Sequence, residues 1–313
     1  MSAVTPPPRR TAMAYVQLLG TSCLWGANFV VAKAVLDYWP PGRFAGSRIA
    51  VAALLLAALA TWRGQRWRLG ARAWWCLLAA GAIGVGLTQG LLFGGLRYTT
   101  AADGALLMAL TPIGTAVALR LGDGERFTRA RVLSVVLGAA GAGIVILPAG
   151  GLRGLFAASG GDLAILGAML TASASFLFLR RGLETVEPLS ATAITLGAGA
   201  VVLTPPALAE HMLPGAGAGW VLGLIAASAV FSMALGWSWW NAGVAVLGAS
   251  RTVIFQDVVP AITLVVGAAF LHTAITLRDV AGFLLIAGAV VVTMAPDRGP
   301  PRTVVPLLPS AAD

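Results

Sequence analysis

The chain lies on itself, almost without gaps, when shifted by 148 residues. Pro40 then falls on Pro188, Ala45 on Ala193, Leu87 on Leu235, Gly95 on Gly243, Ala101 on Ala249, Pro112 on Pro260, Thr128 on Thr276 and Val132 on Val280. Each copy carries five apolar segments of roughly 20 residues, the length that crosses about 30 Å of hydrocarbon. An odd number of crossings delivers the second copy to the opposite side, so it enters the membrane inverted. The expected fold is an all-α membrane protein of ten transmembrane helices, built as two inverted five-helix repeats. Such repeats enclose a substrate site between them near the bilayer midplane, as secondary transporters do.

The composition agrees. Apolar residues make up 58% of the 313 and charged residues 11%, against roughly 25% charged in a soluble domain. The net charge of +9 is spread over successive loops rather than gathered into one patch, which argues against nucleic acid and for the lipid bilayer as partner. Cys23 and Cys76 stand in separate apolar segments and give no disulfide framework. His211 and His272 are too few for the three or four converging ligands that zinc takes, so neither metal nor cofactor is expected.

The expected spans are 13–36, 43–62, 73–95, 100–121, 129–147, 162–181, 189–208, 219–242, 249–271 and 277–295. The first is too long for a signal h-region despite the preceding Arg9 and Arg10. Pro205 and Pro206 should end or kink the seventh early. The domain plan is a tail 1–12, a first repeat 13–148, a linker 149–161, a second repeat 162–295 and a Pro-rich tail 296–313. With the N-terminus inside, fifteen cations are cytoplasmic: Arg9, Arg10, Arg63, Arg66, Arg68, Arg72, Arg120, Arg126, Arg129, Arg131, Arg180, Arg181, Arg251, Arg298 and Arg302. Six are not: Lys33, Arg43, Arg48, Arg97, Arg153 and Arg278. The positive-inside rule then puts both tails in the cytoplasm and the linker in the periplasm of a cell (inner) membrane. Asp103 falls on Arg251 under the same shift, a charge exchange that fits a change of sides.

An ordered series of short motifs carries a resemblance. Trp25-Gly26-Ala27-Asn28-Phe29 is followed by Pro40-Pro41-Gly42-Arg43-Phe44-Ala45-Gly46-Ser47-Arg48. Then come Leu96-Arg97-Tyr98-Thr99-Thr100-Ala101, Leu110-Thr111-Pro112, Gly122-Asp123-Gly124-Glu125-Arg126-Phe127-Thr128, Trp240-Asn241 and Leu247-Gly248-Ala249-Ser250-Arg251. Over about residues 13–295 the chain resembles EamA-type proteins of the drug/metabolite transporter superfamily, including the YddG-like amino-acid exporters. The resemblance implies ten helices in a basket open on one side, a central cavity and export of small metabolites. His272-Thr273-Ala274-Ile275 departs from the Gly-Glu-Arg-Leu common in the second repeat. The coupling glutamate of small multidrug transporters has no counterpart in the first span, whose first acid is Asp37 at its far end.

Polar side chains inside hydrocarbon mark cavities or partners. Gln89 and Phe93 share one face of the third span, and the shift maps them onto Trp237 and Asn241. Trp25 and Asn28 map onto Ser173 and Phe176, and Met108 onto Gln256. These ten form the candidate substrate-binding set: amides for a polar end, aromatics and Met108 for an apolar end. Packing and interfacial anchoring are the competing roles for each of them. Asp257, the deepest acid, is the candidate for proton coupling or for a structural pair. Pro112 and Pro260 sit near mid-helix as hinges or static kinks. Lys33 and Asp37 form an expected i, i+4 pair, and Arg48 is expected at the interface or pairing helices, with a gating role as the lesser alternative. Gly86, Gly90 and Gly94 make a small-xxx-small row for packing within a monomer.

The leading function is a secondary transporter exporting small amphipathic metabolites by alternating access, foremost hydrophobic or aromatic amino acids. Other metabolites or drugs, including phosphorylated sugars, come second, since cations cluster at the membrane edges rather than where a phosphate would sit. An intramembrane enzyme is the alternative class. It lacks a base beside a deep serine, so no enzyme and no catalytic residue is expected. Lys33 has no Walker glycines before it, which excludes an ATP pump.

Overall fold

The computed structural model describes residues 8–65, 67–99, 101–124, 128–146, 160–271 and 277–294. The segments 1–7 and 296–313, the linker as far as residue 159, Arg66, Arg126, Arg153, His272, Arg298 and Arg302 lie outside the described residues, as do the side chains of Asp103, Arg131 and Arg278. The described residues are helical and contain no strand. The helices are α1 (Pro8–Val35), α2 (Pro41–Trp62), α3 (Ala71–Leu96), α4 (Ala101–Met108), α5 (Thr111–Asp123) and α6 (Arg129–Ile146) in the first copy. The second copy holds α7 (Gly160–Gly182), α8 (Pro188–Ala209), α9 (Gly219–Leu247), α10 and α11 (Leu277–Met294). α10 is composed of Ala249–Thr252, a 3₁₀ stretch Val253–Asp257 and Val258–Leu271. Among the described residues, seven helices are long and apolar enough to cross a membrane: α1, α2, α3, α7, α8, α9 and α10.

Local chemistry sets several ends. Pro41 and Pro188 open α2 and α8, where the missing N–H has no intrahelical partner to lose. Gly248, at φ 82°, makes the sharp joint between α9 and α10 that a residue with a Cβ would resist. α1 begins at Pro8, so part of the expected tail is helical. α8 runs through Pro205 and Pro206 to Ala209 instead of stopping early. Both prolines lie in its last turn and a half, where few ladder bonds remain to be broken. α1 ends at Val35, which puts Asp37 in a turn and off the helical i, i+4 register; Lys33 Nζ instead donates to Leu96 O at 3.0 Å and Thr99 O at 2.9 Å. It thereby caps the carbonyl end of α3.

The two copies repeat their irregularities. α3 contains a π-helical stretch, Ala82–Leu87, and α9 contains another, Ser228–Gly236, one repeat length on. Such stretches widen a helix locally and tend to occur at functional sites. Thr88 Oγ1 stitches the first by donating to Ile83 O, five residues back, at 2.9 Å. The helix breaks are matched too: α4 and α5 part at Ala109–Leu110, and α10 changes from 3₁₀ to α after Asp257. Pro112 therefore lies in the first turn of α5 and Pro260 is the third residue of Val258–Leu271. Pro112 thus opens a helix instead of standing mid-helix, whereas Pro260 stays near the middle of α10 as a whole, just after its 3₁₀ stretch.

Packing is reciprocal between copies. α2 lies along α8 and α6 along α11, each pair related by the repeat, while α1 packs on α9 and α10 as α7 packs on α3 and α5. Small residues set the closest approaches. A Cβ on Gly81 would meet Thr195 O at 2.3 Å, and one on Gly86 would meet Val202 Cβ at 2.6 Å and Gly199 O at 3.1 Å. Of the expected glycine row, Gly86 and Gly90 face α8, while Gly94 has nothing within 4 Å.

α2 and α8 are tied at both ends. The carboxylate of Glu210, just past α8, accepts from Gly42 N at 3.1 Å and Arg43 N at 2.9 Å, and Arg43 Nε donates to Glu210 O at 2.7 Å. An acid from one helix thus caps the positive end of the other. At the opposite end Gln65 Nε2 donates to Glu187, and Ser190 Oγ donates to Gln65 Oε1 at 2.5 Å. Glu210→Ala should lower stability by about 1 kcal/mol, the usual cost of a lost cap, read as an earlier thermal transition in detergent. An unchanged transition would show the cap to be idle.

Candidate cavity at the junction of the two copies

A hollow opens between the copies, lined from α1, α2, α3, α4, α7, α9 and α10. Eight of the ten expected substrate-site residues lie on its wall: Trp25, Asn28, Gln89, Phe93, Met108, Phe176, Trp237 and Gln256. They come together because both copies bring the same register of their helices to the shared space. The π-helical stretches lie in this wall as well, through Gly84 in one copy and its repeat partner Ser232 in the other.

Ser173 and Asn241 are off the wall. Ser173 sits where α7 crosses α5; its Oγ donates to Met169 O at 2.8 Å, and a Cβ on Gly114 would lie 2.4 Å from it. The repeat-related crossing of α1 and α10 places Gly26 against Ile262 instead, which leaves Trp25 free to reach the hollow. Asn241 shares its helix face with Trp237, but at that level α8 closes the space. Its Nδ2 donates to Thr192 Oγ1 at 2.9 Å, and the residue is fully buried. Asp257 lies behind the wall, one residue from Gln256. It is fully buried, and a Cβ on Gly138 of α6 would lie 1.9 Å from its Oδ2.

The apolar side of the hollow is an indole cluster. The Trp25 ring centroid is 5.5 Å from that of Trp237 and 4.9 Å from that of Trp240, and Trp240 is 6.1 Å from Phe176. Trp25 Nε1 donates to Ser232 O at 3.1 Å, a carbonyl of the second π stretch. Trp240 was not among the expected site residues, although its place three residues after Trp237 on one helix face is a signal for it.

The polar side is organised by Arg48, which is not interfacial but pairs helices, tying α2 to α1, α3 and α9 from inside the bundle. Arg48 is fully buried on the cavity wall. Its Nη1 donates to Ser228 Oγ at 3.0 Å and, longer, to Asn28 Oδ1 at 3.4 Å; its Nη2 donates to Gln89 Oε1 at 2.5 Å. Ser228 Oγ in turn donates to Asn28 Oδ1 at 2.6 Å. The guanidinium carbon lies 4.7 Å from the ring centroid of Phe44 and 4.3 Å from that of Phe93. Phe44 precedes Arg48 by four residues, the spacing that stacks the two on a helix, and this was the legible signal.

Several buried wall atoms have no hydrogen-bond partner among the described residues: Arg48 Nε, Trp237 Nε1, Ser232 Oγ and Gln256 Oε1. Buried polar groups are normally paired, so an unpaired set around one space is chemistry held ready for an occupant. The hollow offers two N–H donors, a hydroxyl and an amide acceptor against a mostly aromatic surface.

The sequence matches the model of the EamA-like transporter family twice, at residues 12–147 and 159–295. The chain is 31% identical over 283 residues to an uncharacterized transporter, YyaM, of Bacillus subtilis (strain 168), covering 87% of this chain and 90% of that one. It is 26% identical over 282 residues to a probable terminal-alkyne amino-acid exporter of Streptantibioticus cattleyicolor, covering 88% and 91%. A crystal structure 18% identical in sequence superposes with a TM-score of 0.72, covering 92% of this chain and 97% of that one, and shares the fold.

Proposed function

Since the chain belongs to the EamA-like transporter family, and is a multi-pass membrane transporter rather than an enzyme, we propose that it exports small amphipathic metabolites by alternating access. Hydrophobic or aromatic amino acids are the leading class. The observation that carries this reading is the set of unpaired buried donors and acceptors on a cavity walled by indoles. The amino-acid exporter named among the relatives supports the same class at lower identity.

In this reading the two copies, 13–148 and 162–295, are inverted five-helix bundles, ten spans in all. The linker is periplasmic and both tails are cytoplasmic in the inner membrane, as the fifteen-to-six division of cations favours. The eight wall residues bind substrate, while Ser173 and Asn241 brace the wall from behind. The joints before Pro112 and before Pro260 are the hinges. Asp257 couples export to protons: it is buried beside the substrate wall, and its carboxylate has no hydrogen-bond partner among the described residues. Phosphorylated sugars remain the second class. They are less favoured because Arg48 is the sole cation on the wall and Lys33 is committed to the end of α3.

Counterflow into proteoliposomes loaded with unlabelled amino acid tests the assignment. Trp237→Ala and Gln89→Ala should each lower flux on the order of tenfold, equivalent to roughly 1.4 kcal/mol of lost contact, with protein still folded in the membrane. Wild-type flux in both variants would remove this wall from the substrate path. Absence of counterflow for every amino acid would move the substrate to the second class.

A further inference from the structure

We propose that Arg48 is an anion subsite of this cavity and that it receives a carboxylate of the transported molecule. The inference rests on the transport reading above and names the group the cavity recognises. A guanidinium carries five N–H donors. In Arg48, Nη1 is shared by Ser228 and Asn28, whose oxygens lie 2.6 Å apart, and Nη2 donates to Gln89. Nε–H is buried without a partner, and Nη2 keeps a second N–H beyond its bond to Gln89. An Nε–H and an Nη2–H together make the side-on fork that engages both oxygens of a carboxylate.

The electrostatics lead to the same group. Arg48 is fully buried, and no described acid forms an ion pair with it; its partners are neutral amides, a hydroxyl and two ring faces. A cation taken out of water and left uncompensated is costly, and more so within a bilayer. Among the described residues Asp257 is the other fully buried ionisable side chain, and it makes no hydrogen bond or ion pair to Arg48. The occupant is therefore the natural source of the missing negative charge. Phe44 and Phe93, packed edge to face with ring centroids 5.1 Å apart, both lie against the guanidinium and Gln89 fixes one edge, so the open fork is preorganised. One cation balances one negative charge, which selects a monocarboxylate over a phosphate dianion. The remaining unpaired acceptor, Gln256 Oε1, and the indole faces suit an ammonium and an apolar side chain on the same molecule.

The test uses the full chain in nanodiscs at pH 7, with intrinsic fluorescence from Trp25, Trp237 and Trp240 reporting occupancy. The ligands are matched acid and amide pairs: L-phenylalanine and L-phenylalaninamide, L-leucine and L-leucinamide, and 3-phenylpropionate and 3-phenylpropionamide. Phenyl phosphate is the competing anion. Acids should bind about 100-fold more tightly than their amides, as two charge-assisted hydrogen bonds imply. Arg48→Gln should erase the ratio, and Arg48→Lys should keep only part of it, since an ammonium is a point charge without a fork. The wild-type ratio stands by itself if the variants do not fold. Equal binding of acid and amide, no binding by any acid, or tighter binding of phenyl phosphate overturns the carboxylate subsite. If 3-phenylpropionate alone discriminates, the subsite stands and the amino-acid reading fails. If the amino acids and their amides bind equally, the reverse holds.

Discussion

Gly81→Val should remove most folded protein from the membrane. A Cβ at this position would lie 2.3 Å from Thr195 O, 2.7 Å from Thr195 Cα and 2.8 Å from Ala198 Cβ. The nearest two atoms are backbone, so no rotamer change on α8 makes room and the helices must separate. Separation also opens the neighbouring approach, where Gly199 faces Val85 and Gly86 across the same seam. Overpacking typically costs about 1–3 kcal/mol, and a backbone obstacle puts this site at the upper end or beyond. Gly90→Ala is the matched control, because its nearest obstacle is Leu203 Cδ2 at 3.2 Å, the end of a flexible side chain. That change should be close to neutral, the modest crowding offset by a helix-propensity gain of up to about 1 kcal/mol. Size exclusion and thermal unfolding in mild detergent compare the two. Equal stability would show that the seam between α3 and α8 is looser than its geometry implies.

On the proposed coupling role, Asp257→Asn should abolish stimulation of export by a pH gradient and leave counterflow intact. Asparagine keeps the shape of the side chain but cannot take up or release a proton. Counterflow exchanges substrate for substrate and needs no net proton movement, so the variant separates coupling from binding. Gly138→Ala should act on the same group by another route, since its new Cβ would fall 1.9 Å from Asp257 Oδ2 and displace the carboxyl. If D257N keeps full gradient dependence, coupling belongs elsewhere and Asp257 is a packing group.

Much of this arrangement was legible in the repeat. Gln89 with Trp237, and Met108 with Gln256, are repeat-related pairs whose members all reach the wall, because both copies bring equivalent registers to one space. The same mapping misplaced Ser173 and Asn241. Their helix faces are as expected, but Gly114 and Thr192 of neighbouring helices fill the space before the side chains reach the hollow, and sequence period does not record depth. Arg48, read as interfacial or helix-pairing, was left out of the substrate set for a different reason. Counting cations by loop treats each as solvated, whereas Phe44, Phe93, Asn28, Gln89 and Ser228 supply Arg48 with a polar and aromatic shell inside the bundle. Those partners come from four helices, and no local pattern assembles them. The prolines were legible as special positions, but the break preceding each depends on packing that a linear reading cannot see.

The double tie between α2 and α8, at Glu210 and at Gln65, has a mechanical consequence. Fastened at head and foot, the two helices behave as a single mast that resists both sliding and splaying. Arg48 is stepped on that mast, so in the proposed transport cycle the polar pole of the hollow stays fixed while the α4–α5 pair, jointed at Ala109–Leu110, and α10, jointed after Asp257, are the limbs that swing past it.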